Sequence, residues 1–301
     1  MMSGDRGVQR EWVGREVLLW VLAVVLTVAA AGYQRFTGPS YPARGSFEVA
    51  SQGYESRLIR NALTTEDARV AIPDPGGGVT GALHFKRYRT DDEFTSQPLV
   101  AEDGELAGQL PVQPPAGKLE YFLTLRTPDG VIRVPDSEAG NVIIRFKDRV
   151  PWPSLAPHIA MMFLALLIGM RAGLAALFSP SPMRRLAWVT LAVMTVGGMI
   201  LGPIAQKYAF GAYWTGWPLD YDLTDNKVLI MWLVWIVACA VIWLRAQRDE
   251  RVSRAAVAAA ALVMIVVYLI PHSARGTEVD YELLDQGVPA SEALKSGRPE
   301  Q

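Results

Sequence analysis

Apolar residues along this chain fall into runs of two kinds. Five runs are long and nearly free of charge, at 17–31, 155–178, 186–204, 228–244 and 255–270. The hydrocarbon core of a bilayer is roughly 30 Å thick and takes about 20 apolar helical residues to cross, so each run predicts a membrane-spanning helix. Between Gly45 and Asp148 the pattern changes to short alternating segments: Phe47 and Val49, Val70 and Ile72, then 79–88, 119–125 and 142–146. Turn signals separate them, including Pro73-Asp74-Pro75-Gly76-Gly77-Gly78, Pro114-Pro115-Ala116-Gly117 and Pro128-Asp129-Gly130. Alternation with this punctuation predicts the strands of an antiparallel sandwich.

Charge orients the spans. Arg6, Arg10 and Arg15 precede the first run, Arg184 and Arg185 lie between the second and third, and Arg245, Arg248, Arg251 and Arg254 between the fourth and fifth. The positive-inside rule puts all three sets in the cytoplasm. The fold class expected is therefore an α-helical membrane protein of five spans, N-terminus inside, with an inserted all-β immunoglobulin-like sandwich. Its parts are a cytoplasmic N-terminus with the first span (1–32), an extracytoplasmic sandwich (33–153), a four-span domain (154–272) with an outer loop at 205–227, and a polar mobile tail (273–301). The protein would be integral to the inner membrane, with sandwich and tail extracytoplasmic. The first run reads either as an anchor or as a signal sequence. Ala29, Ala30 and Ala31 before Gly32 have the look of a cleavage site, while Asp5, Glu11 and Glu16 are foreign to a signal's basic leader and favour retention.

Composition narrows the chemistry. The 301 residues carry 29 basic and 30 acidic side chains, and this balance argues against nucleic-acid binding, which needs a dense basic surface. The single cysteine, Cys239, excludes an internal disulfide, a zinc site built from cysteine pairs and covalent c-type heme attachment. No nucleophile elbow, His-Glu-x-x-His or P-loop occurs, and Gly76 to Gly78 read as a flexible turn, so no enzyme is expected. The pairs Asp91-Asp92 and Glu102-Asp103 read as solvated loops. Arg171 is the one ionisable group expected within the spans, which disfavours a transporter; snorkelling to the interface is its expected state. Gly169 with Gly173, and Gly198 with Gly202, read as points of close helix approach.

The segment 110–125, where a proline-glycine turn feeds the strand carrying Glu120, Tyr121 and Phe122, resembles late strands of immunoglobulin-like or fibronectin type III modules. That resemblance implies architecture alone. His84 falls on a strand with no clustered partner and reads as a surface or half-buried histidine.

The other two histidines flank the spans on one side. His158 opens the second span, and His272 follows the fifth directly after Pro271. Between them lies the aromatic outer loop with Tyr208, Phe210, Tyr213, Trp214, Trp217 and Tyr221. Two imidazoles can fill both axial positions of a heme iron while an aromatic shelf lies against the macrocycle. Interfacial aromatics and histidines at span ends also occur without any ligand.

The order of histidine, aromatic loop and histidine is similar to that of heme-handling proteins of cytochrome c biogenesis, particularly the heme-delivery component, over residues 155–272. That family carries a segment W-G-x-x-W-x-W-D before a span. Phe210-Gly211-Ala212-Tyr213-Trp214-Thr215-Gly216-Trp217, followed by Asp220 or Asp222, resembles it with Phe210 in place of the first tryptophan, and Leu229 to Trp235 resembles the following span. The resemblance implies His158 and His272 as axial ligands, Tyr213, Trp214, Trp217 and Asp222 as platform, a non-covalent heme, and an apocytochrome or another membrane protein as partner besides membrane lipid. Two alternatives stand beside it. Asp220, Asp222 and Asp225 are spaced for a metal such as calcium, although Asp225-Asn226 capping a helix near Lys227 explains them better. A cofactor-free reading makes the protein a membrane-anchored sandwich that binds a partner or serves in a membrane complex.

Overall fold

The computed structural model describes residues 3–179, 181–244, 250–271 and 276–296, with side chains from Val13 onward. They form a helical unit, within Met1–Gly38, Val150–Gln206 and Gly216–Ala274, and a β unit, within Pro39–Arg149, Lys207–Thr215 and Arg275–Gln301.

Five helices among the described residues are long and apolar enough to cross a membrane: α1 (Ser3–Thr37), α2 (Trp152–Phe178), α3 (Met183–Phe210), α4 (Leu223–Leu244) and α5 (Glu250–Leu269). Most run past their apolar stretches, because the polar residues at a helix end still complete its hydrogen-bond ladder. Over Thr195–Leu201, α3 switches to π-type bonding, with the Gly202 N–H on the Gly197 carbonyl; consecutive glycines resist such a register change least. A Cβ on Gly173 of α2 would stand 2.5 Å from the Ala261 Cβ of α5, and one on Gly198 2.8 Å from Val228 Cγ1 of α4. Both small-residue pairs therefore do mark close helix approach.

At one end of the unit, arginines close the helices. Arg254 donates from Nε and Nη2 to the Ala176 and Leu177 carbonyls of α2, at 2.6 and 2.8 Å. Arg184 donates to the Ile242 carbonyl of α4 at 3.2 Å and pairs with Glu250 at 2.8 Å. The last carbonyls of a helix have no intrahelical donor, and a cation is favoured at its negative end. Arg171 corrects the expectation of snorkelling: it is 0 % exposed and pairs with Glu16 of α1, which also accepts from Ser179 Oγ. A carboxylate on a neighbouring helix at the same level makes burial of the guanidinium cheaper than stretching it to the interface. Arg171 is also not alone, since α4 begins at Leu223 and so takes Asp225 and Lys227 into the helix, both buried.

In the β unit, strands β1 (Ala43–Val49) and β2 (Gln52–Leu58) form a hairpin. Next come β3 (Asn61–Leu63), β4 (Ala68–Pro73), β5 (Thr80–Arg87), β6 (Thr95–Pro98), β7 (Val100–Glu102), β8 (Glu105–Leu110), β9 (Lys118–Thr127), β10 (Gly130–Val134) and β11 (Val142–Lys147). One sheet runs β3-β11-β9-β5-β6, with β10 also on β9, and a second runs β4-β8-β7. All these pairings are antiparallel except β3 with β11. Alternate positions of both sheets enter one core, among them Val70, Ile72, Leu83, Leu110, Leu123 and Phe146. The buried Tyr121 phenol donates to the Ile59 carbonyl at 2.8 Å, and burial pushes its pKa well above the ordinary tyrosine value.

The segment after α5, expected as a mobile tail, is folded over residues 276–296. It forms β12 (Glu278–Val279), α6 (Tyr281–Asp285) and β13 (Leu294–Lys295), with β12 and β13 paired. Tyr281 is buried and its hydroxyl bonds the Lys118 N–H, the Lys118 carbonyl and Gln113, all near 3 Å. Glu278 pairs with Lys118 at 2.8 Å and Arg89 at 3.1 Å, and Arg87 bridges Asp92 and Asp285 at 2.6 and 2.7 Å. Polar composition does not announce this order, because these partners lie over 150 positions away in sequence. Asp92, read as a loop residue in water, is held below the usual carboxylate range by the Arg87 hydrogen bonds.

Candidate functional site

At the end of the helical unit opposite the capping arginines, polar groups gather from every helix. Gln34 of α1 donates to the Tyr268 carbonyl and, at 2.7 Å, to the Ile270 carbonyl. Lys227 of α4 donates to the same two carbonyls. These are the last carbonyls of α5 and its exit, so two donors from other helices close it. Gln206 of α3 bonds the Asp225 carboxylate at 3.1 Å.

His158, on the first turns of α2, contributes the ring that sequence singled out. Its Nδ1 lies 2.8 Å from the Gly197 carbonyl in the π segment, and its ring packs beside Gly202. A carbonyl only accepts, so Nδ1 carries a proton, and in the neutral ring the lone pair is then on Nε2. A backbone carbonyl on the far nitrogen is also how proteins orient an imidazole that ligates metal through the near one. Trp232 braces the same π segment, its indole N–H on Thr195 Oγ1 at 2.9 Å. His272 lies outside the described residues; Ile270, two positions before it, is held at this end.

The residues of the expected aromatic platform are divided between the two units. Phe210, Tyr213 and Trp214 belong to the β unit, and Trp217 and Asp222 to the helical unit. Phe210 lies under the Arg145 guanidinium at 3.8 Å and packs with Ala116, Val279 and Tyr281. The Asp148 N–H bonds the Ala209 carbonyl at 3.0 Å, and Thr215 Oγ1 bonds Thr277 Oγ1 at 2.7 Å. The first half of the loop thus packs within the β unit, in a small cluster apart from the core between its sheets. Tyr213, Trp217 and Tyr221 are exposed.

Asp222 is a helix cap, accepting from the Thr224 and Asp225 N–H groups at 2.7 and 3.2 Å. Capping is right in kind and one turn early in place, because Asp222 precedes α4 at Leu223 while Asp225 lies within it. Asn226 accepts from the Trp217 N–H at 2.7 Å. No group of three or more His, Cys, Asp or Glu suited to a metal occurs among the described residues, so the calcium alternative gains no support there. His84 bonds Ser96 Oγ at 2.6 Å and Thr124 Oγ1 at 2.8 Å and stacks on Phe122 at 4.7 Å, well provided with partners.

A heme ligand set fits in part. His158 fits through its oriented tautomer, and Trp214 and Trp217 are not assembled in one unit. The buried Asp225 and Lys227 escape the sequence reading because the apolar run begins only at Val228, and the half-buried Gln206 because the run before it stops at Ile204; the pattern Asp-x-x-Asp-Asn-Lys just before Val228 was the available signal. Comparison with protein-family models, curated proteins and solved structures finds no match.

Proposed function

We propose that the protein is an inner-membrane protein that holds heme non-covalently at its outer face through His158 and His272, for heme delivery or electron transfer in a cytochrome-assembly-like role. The observation that carries this reading is the Nδ1 bond from His158 to the Gly197 carbonyl, which leaves Nε2 free to ligate. Bound heme would supply the redox chemistry. The protein's residues orient the imidazole, and Gln34 and Lys227 fix the exit of α5 from which His272 follows. The arginine-capped end is the cytoplasmic one on the positive-inside rule, and the sandwich is then extracytoplasmic. Taking β4, β5, β7, β8, β9 and β11 as B, C, D, E, F and G gives sheets B–E–D and C–F–G, which supports an immunoglobulin-like sandwich.

Full-length protein purified from heme-replete cells should show a heme absorbance band with a low-spin, two-imidazole signature. His158→Ala and His272→Ala should each convert it to high spin, and the double variant should lose it. Colourless protein would defeat the reading.

A second reading, a cofactor-free sandwich that binds a partner or builds a membrane complex, is favoured by the burial of Phe210 under Arg145. It predicts a stoichiometric partner that co-purifies in mild detergent with colourless protein.

A further inference from the structure

The N-terminal helix raises a question of its own, since its small residues before Gly32 invite cleavage. In α2, the Arg171 guanidinium is completely buried, and its Nε and Nη1 have no hydrogen-bond partner among the described residues. Its one ion-pair partner among the described residues is Glu16, on α1. The same carboxylate accepts from Ser179 Oγ, which caps the end of α2, and the Trp20 ring of α1 lies 5.5 Å from the guanidinium carbon. On the turns that follow, Leu19, Ala23, Thr27 and Ala30 are buried, and Ala23 and Ala30 join one core with Ala165, Ala172 and Met264. The remaining faces of α1 are exposed apolar surface, as lipid contact requires.

We infer that α1 is a permanent member of the mature helical unit, a signal anchor that is kept after insertion because Glu16 is the counter-charge of Arg171. An arginine within a span is tolerated where it is paired, and a buried charge deprived of its partner is strongly destabilising. Cleavage after Ala29 to Ala31 would remove Glu16, Trp20 and the Ala23 contact together. It would leave a cationic side chain facing lipid, with three of its nitrogens unpartnered. The exposed Val17, Leu18 and Val21 show that the span is not held by a fully apolar interface, so the polar latch does what wide burial does for α2.

The first test is the intact mass and N-terminal sequence of the full-length protein extracted from membranes. A mature chain that still contains Glu16 is expected; one that begins at Gly32 or near it overturns the inference. The second test separates the latch from general damage. Glu16→Gln should lower the midpoint of thermal unfolding in detergent by about 5–15 °C, as expected for an unpaired buried charge. Glu16→Gln combined with Arg171→Met, which removes both charges, should recover most of the loss. Wild-type stability for Glu16→Gln, or a double variant no better than the single, would overturn the pairing as the reason for retention. Neither outcome depends on heme.

Discussion

Protonation states in this protein are set by neighbours that no local pattern announces. His84 has both ring nitrogens on hydroxyls, one from β6 and one from β9, with the cationic Arg133 lying over the adjacent Phe122 ring at 4.3 Å. Burial first, and then Arg133, holds its pKa below the ordinary value of 6.5. The folded state therefore binds this proton less readily than the unfolded chain. The stabilising contribution of the neutral ring is complete above pH 6.5, falls as the pH drops below that value, and levels off once the pH is below the depressed folded pKa. Thermal unfolding of the β unit followed between pH 7.5 and 5 should show this loss, and His84→Gln should flatten that part of the profile. An unchanged slope in the variant would remove His84 as its source. Arg145 likewise depends on partners distant in sequence: it lies on β11, stacks on Phe210 and donates to the Thr277 carbonyl at 2.5 Å. Replacing it with methionine keeps most of the apolar contact but not the hydrogen bond, and should cost about 1–3 kcal/mol in unfolding free energy.

Elements were legible wherever periodicity alone decides them. Long apolar runs and alternating segments placed the five long helices and strands β1, β4, β5, β9 and β11. Of the strands that went unread, β3, β6 and β7 have only three or four residues, and β2 follows an unorthodox turn. The β1–β2 turn is Ala50-Ser51, both at positive φ (50° and 64°), where glycine or asparagine is the usual signal. By contrast Asp103-Gly104, between β7 and β8, has the expected composition and conformation. The site was legible only as far as His158, because its tautomer depends on a carbonyl 39 positions away. Glycine spacing in the spans was informative, and it can be tested by contrast. Gly173→Ala would drive a methyl to 2.5 Å from Ala261 Cβ, forcing α2 and α5 apart at a cost of about 1–3 kcal/mol. Gly32→Ala in α1 meets no atom within 4 Å and should be neutral or stabilising by up to about 1 kcal/mol. Comparing the two in one detergent isolates helix approach from helix propensity. If Gly173→Ala melted with wild type, the close contact would not limit stability.

For the whole molecule, the β unit is assembled from three distant stretches of chain, so its integrity depends on the end of the sequence. The Val279 N–H bonds the Ala116 carbonyl at 3.3 Å, and the fully buried Ala116 is covered by the cluster of Val279, Tyr281, Phe210 and Leu294. Removing residues 276–301 would strip that cover. It would also take Glu278 from Lys118, whose side chain is 12 % exposed and whose pKa burial already lowers. The loss of this ion pair and of the Tyr281 hydrogen bonds, added to the lost apolar burial, should weaken the unit by more than about 3 kcal/mol. Limited trypsin digestion of membranes carrying full-length or truncated protein reads this directly. Arg87 and Arg89, held by Asp285 and Glu278 in the intact chain, should become early cleavage sites after truncation. Glu278→Gln should give an intermediate pattern, since it keeps the chain but removes the charge. Equal resistance in all three would show that the β unit stands without its last segment, and that the folded tail is attached to the unit but not needed by it.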